Sequence, residues 1–262
     1  MAPSSEKKTR GYIPPSTDEE RLVARRAQEL ARAACFGGAV RTMGFLSDRE
    51  LSLAQAAIAH SEAAARAFGG YEGAERTVLA FAGSEEQLRD EVFNIAQLRV
   101  TAHCPPRPLT HRDYLGALLS LGLRRESVGD ILPDESGAFV YARGAAAKLI
   151  LQELASVGRC SVSCEASAQS VQAQTAGEER RAFVASLRLD AVLAAVLHIS
   201  RGDAAALVKA GAVSVNHIEM TRASSEMFEG DVLRVRGYGK FSVRAVGPQS
   251  KKGRTAITYC QY

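Results

Sequence analysis

The residues best equipped for chemistry in this chain are cations set at the starts of helices and hairpins, and the chemistry they suit is a grip on phosphate. Arg188 opens the run RLDAVLAAVLHISRGDAAALVKAGAVSVN, which closes on Asn216, and Ser200-Arg201 opens its second half. In the first turn of a helix the backbone N–H groups lack partners and the dipole is positive, so an arginine there reinforces a place that already favours an anion. Lys209 stands two turns beyond Arg201, and the alanines at 204–206 would let a nucleic-acid backbone come close. Ser200 and Asn216 carry groups able to position that backbone by hydrogen bonds, with His217 beside them. Downstream, VLRVRGYGKFSVRAVG (232–247) alternates apolar and basic residues, so inward packing of Val232, Leu233 and Val235 would leave Arg234, Arg236 and Lys240 along an exposed edge. Its RGYG matches the opening of an aromatic RNA-recognition signature, but Lys240 stands where that signature wants an aromatic. Tyr238 either stacks on a base or packs on its own sheet; the sequence leaves both open.

Other chemistries fare worse. The five cysteines, at 35, 104, 160, 164 and 260, are odd in number and scattered, which argues against a disulfide framework. Cys160 and Cys164, with His103 next to Cys104, raise the question of zinc, yet no second pair at ligand spacing completes a tetrahedral set, so no metal is expected. No glycine-rich turn follows a strand in the way a nucleotide cofactor needs, and none is expected to bind. His111-Arg112-Asp113 imitates a kinase catalytic loop, but leucine stands where that loop requires asparagine.

Holding the cations in place calls for two short helices and a small sheet. Leu189, Leu193, Val196 and Leu197 recur at three- and four-residue steps, which puts them on one helical face. Ser200 is a good N-cap with Asp203 three residues on, Gly211 is a helix stop, and Ala204, Leu207 and Val208 form the apolar side between them. Val213 and Val215 alternate as in a strand, and Gly230-Asp231 marks a later turn. In order, Arg188-Leu189-Asp190, Leu193, Ser200-Arg201, Ala204, Leu207-Val208, Gly211, Val213, Val215-Asn216 and Gly230-Asp231 resemble the S4-type RNA-binding domain. His217 departs from that pattern, which often has glycine after the asparagine. Charge agrees with a nucleic-acid-binding end: residues 183–262 hold 11 Lys and Arg against six Asp and Glu, a net of +5, while the rest holds 22 against 23.

At 262 residues the chain is long enough for two or three domains, and its 46% apolar and 24% charged residues are ordinary for a soluble protein. No apolar run approaches the roughly 20 residues that span a bilayer, and the first residues lack the hydrophobic core of a secretory signal, so a cytoplasmic protein without membrane contact is expected. Residues 18–36 and 47–68 read as two helices, the second capped by Ser47 with Glu50. Strands are expected at 75–81, 92–102, 139–142 and 159–164, with helices at 110–122 and 145–158. In the 110–122 helix Leu115, Leu118 and Leu119 should face the core. The resulting class is α+β: an N-terminal helical region (1–72), a central ferredoxin-like or RRM-like domain (73–166), a linker (167–182) rich in Ser, Gln, Ala and Glu, and the S4-like end (183–262). His111, Arg112, Arg124 and Arg125 flank the central helix and either touch RNA backbone or solvate the surface. The SKKGR segment (250–254) reads as a basic hairpin tip.

Upstream segments extend the likeness. LTHRDYLGALLSLGLRRESVGDIL (109–132), FLSDRE (45–50) and GGYEGAER (69–76) resemble the bacterial YlmH-like family, in which an S4-type domain follows an α+β RNA-binding domain. The resemblance implies a ribosome-associated factor that contacts ribosomal RNA, the large subunit and tRNA on the ribosome, linked to quality control of stalled translation. A monomer that binds structured RNA without catalysis is the expected function. An RNA-modifying enzyme, a pseudouridine synthase or methyltransferase aimed by an S4-type domain, is the alternative, and a protein-interaction module is a third.

Overall fold

The structure, a computed structural model, describes residues 13–103, 108–169, 178–216, 218–250 and 253–262. Cys104, His217, Lys251 and Lys252 lie outside the described residues. The chain divides into two units, Pro14–Ala173 and Gln174–Tyr262 with Met1–Ile13.

The first unit begins with α1 (Asp18–Gly37), β1 (Arg41–Leu46), α2 (Asp48–Ala57), β2 (Ala64–Phe68) and β3 (Thr77–Ala82). Thr17 caps α1 by accepting the Glu20 N–H at 3.2 Å, and three acids fill its positive first turn. Ala27, Ala31 and Ala34, spaced to share one face, are fully buried and let α1 lie close on the sheet. Ser47 and Glu50 form the expected capping box of α2.

Two expectations fail in this region. The second helix stops at Ala57 rather than running to 68, and the alanine-rich stretch beyond it is the edge strand β2; helix propensity yields there to pairing with β3. The strand expected at 75–81 joins β1 and β2 in the order β1-β3-β2 and not the central sheet. Val78 to Ala82 are all buried, as a central strand covered on both faces requires. One face meets α1 and α2; the other packs with Phe45, Phe93 and Tyr141.

An ion pair ties α1 to α2. Arg49, 9% exposed, donates to Glu20 at 2.8 and 3.0 Å and to the Pro14 carbonyl at 3.0 Å. Arg49 holds the Glu20 carboxyl down to about 2 from the ordinary glutamate value. Because the folded pKa lies below the unfolded one, this pair stabilises the fold at neutral pH, and its contribution drains away as the pH falls from about 4.5 towards about 2. The Glu20→Gln variant should therefore melt lower than the parent at pH 7 but show a flatter melting temperature between these limits, read by circular dichroism. An equal acid response in the two proteins would rule the pair out as the acid-labile element.

The rest of this unit runs β4 (Ile95–His103), α3 (His111–Ser120), β5 (Val128–Asp134), β6 (Gly137–Arg143), α4 (Gly144–Glu153), β7 (Ser156–Val157) and β8 (Cys160–Ala166). Every pairing is antiparallel, in the order β5-β6-β4-β8-β7. A βαββαβ chain with its first and third strands central is the ferredoxin-like arrangement expected from sequence. The strand β5 was not anticipated: Gly129-Asp130 interrupts its alternation, and the pairing shifts register there. A Cβ on Gly129 would lie 2.6 Å from the Phe45 ring, so the bulge needs glycine for close packing. The helix expected to 158 ends at Glu153, because Ser156–Val157 turns back to pair with β8. Asp113 closes a capping box with Thr110, which is the use of the carboxylate in the kinase-like triplet. Tyr114 and Leu118 bury against the sheet, while Leu119, expected inside, is 40% exposed. On the opposite sheet face Tyr141 is buried and stacks on Tyr71 with centroids 4.7 Å apart. The neighbouring three-stranded layer therefore seals part of the face on which RRM-like sheets stack bases.

The second unit comprises β9 (Glu178–Val184), α5 (Leu189–Leu197), α6 (Arg201–Lys209), β10 (Val213–Val215), β11 (Ile218–Glu219), β12 (Val232–Val235), β13 (Gly239–Gln249) and β14 (Thr255–Gln261). The sheet order is β11-β10-β12-β13-β14-β9. The linker expected to reach 182 gives way at Glu178 to the edge strand β9, whose charged residues hid it: its buried residue is Val184. Leu189, Val192, Leu193 and Val196 from α5 and Ala204 and Val208 from α6 close over Leu233, Val235, Phe241, Ile257 and Tyr259. Burying each such aliphatic contributes about 1.5–3 kcal/mol, so this core fixes the helix pair against the sheet.

Candidate nucleic-acid interface

Arg188 is the N-cap of α5 and Arg201 the first residue of α6, and one carboxylate holds both. Asp190 accepts from Arg188 at 3.2 and 3.0 Å and from Arg201 at 2.9 Å, and its side chain is 9% exposed. Asp190, the acid in the first turn of α5, fixes two guanidiniums whose outer portions remain about half exposed. The contact with Asp190 raises the Arg188 pKa, and Arg188, the larger influence, lowers that of Asp190; one carboxylate between two guanidiniums leaves a formal net charge of +1.

The second cluster is the β12–β13 hairpin. Leu233 and Val235 point into the core and Arg234 and Arg236 outward, while Val232 is half-buried, short of the full burial expected. Arg234 lies directly across the ladder from Lys240. Lys240 reaches over the Tyr262 ring, 5.0 Å from its centroid. Gly237 and Gly239 take positive φ angles of 86° and 106°, which turns the chain tightly and leaves Tyr238 45% exposed at the tip. Tyr238 is thus a free ring face and not a packed one. Arg234, Arg236 and Lys240 line an open groove of about 620 Å³ floored by Gly211 to Ser214, with Glu219 as its carboxylate. Lys209 is exposed in the last turn of α6, two residues before that floor begins. The nine residues of α6 place its arginine end roughly 12 Å from its lysine end at 1.5 Å per residue.

Two of the expected contact residues make hydrogen bonds within the fold. The Ser200 hydroxyl accepts the Asp203 N–H at 3.1 Å and donates to the Asp203 carboxylate at 2.7 Å, so it caps α6. Asn216 sits at φ 48°, donates from its amide to buried Asp231 at 2.8 Å and accepts the Val232 N–H at 2.8 Å. One amide hydrogen and one lone pair are thereby engaged in the turn, which the residue helps to shape. His217 lies outside the described residues.

In the first unit, His111 and Arg112 are exposed at the start of α3. Arg124 pairs with Glu126 at 3.0 Å, and Arg125 turns inward to the carbonyls of Val128 and Gly129 at 2.6 and 3.2 Å. Burial, reinforced by Arg76, brings the Arg125 pKa down to about 10. The thiols weighed for zinc face backbone: Cys160 lies 3.3 Å from the His103 carbonyl and Cys164 3.6 Å from that of Leu154. Burial pushes the Cys164 thiol up to about 11, which keeps it protonated and a poor metal ligand. Sequence reasoning missed Asp190 as the clamp, although Arg-Leu-Asp spacing at a helix start was a usable signal, and it missed Arg76 and Arg143, which only the tertiary fold brings to Arg125.

Comparison with known proteins places this geometry in a family. Residues 89–170, which hold the five-stranded sheet, match the family described as "Putative RNA-binding domain in YlmH". The ribosome-associated protein quality control protein P2 of Bacillus subtilis is 30% identical over 218 residues, 82% of this chain and 84% of that one. The cell division protein ylmH from Streptococcus pneumoniae superposes with a TM-score of 0.52 at 19% identity, over 60% of this chain and 96% of its own, a likeness of fold. With that identity held over most of both chains, this protein belongs to the YlmH family.

Proposed function

We infer that this protein is a non-catalytic, ribosome-associated binder of structured RNA, and that its second unit is an S4-type domain supplying the main grip. The observation that carries this reading is the placement of Arg234 opposite Lys240, with Arg236 and exposed Tyr238 in the same hairpin. Three basic side chains along one hairpin edge suit a polyanion laid in the groove. Arg188, Arg201 and Lys209 extend the cationic track along α6, and Tyr238 offers a stacking face. The matched RNA-binding domain and the Bacillus relative's name support RNA binding and association with the ribosome in quality control; ribosomal RNA as the target and stalled translation on the large subunit as the setting are the finer part of the proposal. Contact with tRNA there, a monomeric state and a cytoplasmic location belong to the same reading.

In the pseudouridine-synthase alternative the carboxylate of Arg188-Leu189-Asp190 would act on the base, and there Asp190 is buried and held by two arginines. A tagged chain should co-sediment with large ribosomal subunits in a gradient of cell extract, with crosslinks confined to a few ribosomal RNA segments. Sedimentation only at the top of the gradient would reject the ribosomal assignment; a site-specific base modification appearing on bare ribosomal RNA would establish catalysis.

A further inference from the structure

A second basic cleft, unrelated to the hairpin groove, lies within the first unit between α1, β1 and the 124–127 turn. It measures about 830 Å³ and is lined by Arg26, Arg76, Arg124, Arg125 and Arg143. Such a volume suits a ligand the size of a nucleotide. Its walls come together at Gly44, where an added Cβ would lie 2.6 Å from the Glu126 carbonyl oxygen, so the cleft owes its shape to that glycine.

The arrangement of cations is unusual. Arg76 donates to the Phe45 carbonyl at 2.7 Å, and Arg143 to the Met43 carbonyl at 3.0 Å and the Thr42 hydroxyl at 3.1 Å. Arg125 also bonds to carbonyls, so among the described residues none of the three forms an ion pair with a carboxylate. The Arg76 Nε is sealed from solvent without a hydrogen-bond partner. Burial disfavours the charged form of all three guanidiniums. Glu50 and Asp130 offset part of the charge on Arg76 and Arg125, and the five arginines still outnumber the nearby carboxylates, an excess that an anion would neutralise. Arg26, 3.6 Å from Glu29, and Arg124, paired with Glu126, add mostly exposed charges, and Leu22, 58% exposed, offers an apolar surface. The carboxylates of the cleft are Glu50, committed to the α2 capping box, and Glu126, paired with Arg124.

We propose that this cleft is a phosphate site, in which Arg76, Arg125, Arg143 and the two outer arginines hold one phosphate group of a nucleotide or of an RNA strand while the sugar and base rest towards Leu22. It does not depend on the C-terminal interface. The test uses the full chain carrying Arg234→Glu and Arg236→Glu, which silences the hairpin, titrated calorimetrically with inorganic phosphate, with AMP and with a short single-stranded RNA. Phosphate and AMP should bind at millimolar concentration or better, AMP the more tightly. Adding Glu126→Gln should tighten AMP about threefold, the effect of one unit charge roughly 6 Å away in a water-like dielectric. Adding Arg26→Glu and Arg124→Glu should weaken it more than tenfold at an unchanged melting temperature, since both side chains are exposed. RNA that competes with AMP identifies the strand as the source of the phosphate; AMP binding without competition identifies a free nucleotide. No binding of phosphate or AMP, or binding that ignores both sets of substitutions, would overturn the site. Loss of RNA binding through Arg234 and Arg236 together with no binding of phosphate or AMP would leave the hairpin reading intact and this one rejected.

Discussion

Reversing the charge of Arg234 and Arg236 together should weaken binding of ribosomal RNA about a hundredfold at 0.1 M salt without unfolding the protein. Each phosphate contact to a strand contributes a salt slope of about 0.7, which at 0.1 M corresponds to roughly a fivefold gain in affinity. Two lost contacts give about 25-fold, and repulsion from the new carboxylates supplies the remainder. The fold should tolerate the change, because both side chains point outward from β12. Filter binding and a thermal melt on the same preparation check both halves. A loss below threefold would remove the groove from the interface.

Asp231→Ala should remove about 3–4 kcal/mol from the second unit, the largest stability effect expected of a single polar residue there. Asp231 is 1% exposed, accepts from the Asn216 amide at 2.8 Å and from the Phe228 N–H at 2.9 Å. Alanine would strand both donors in the interior, each costing roughly 1–3 kcal/mol. It would also release Asn216 from a left-handed turn that few residues adopt without such support. Amide exchange over 213–243 reads the effect locally, and protection there should fall by more than a hundredfold, about 1.4 kcal/mol per factor of ten. Unchanged protection would mean that the turn is held by its backbone bonds alone.

Much of the second unit was legible because its signals are local. The spacing of Leu189, Leu193 and Val196, the cap at Ser200, the stop at Gly211 and the alternation around Arg234 are each decided within a few residues, and the elements fall within a residue or two of expectation. The ferredoxin-like order of the central strands also follows from local cues, although β5 hid behind Gly129-Asp130. What failed was set by distant partners. The alanines at 63–65 favour helix, yet Ala64 and Ala65 pair with Ala82 and Phe81 in a strand. Residues 178–182 look like a solvated linker and pair along their length with β14. The same limit applies to the site. Nothing near Asn216 reveals that Asp231 will consume its amide, and nothing near Arg76 reveals Arg125 and Arg143. Sequence locates cations well; which of them remain available to a ligand depends on where the carboxylates and carbonyls fold.

The most direct measurement is the salt dependence of the intact protein's affinity for ribosomal RNA. About five phosphate contacts, drawn from Arg188, Arg201, Lys209, Arg234, Arg236 and Lys240, correspond to a logarithmic slope near −3.5 and a loss of about a hundredfold between 50 and 200 mM salt. An affinity that stays constant across that range would contradict a cationic surface gripping a phosphate backbone.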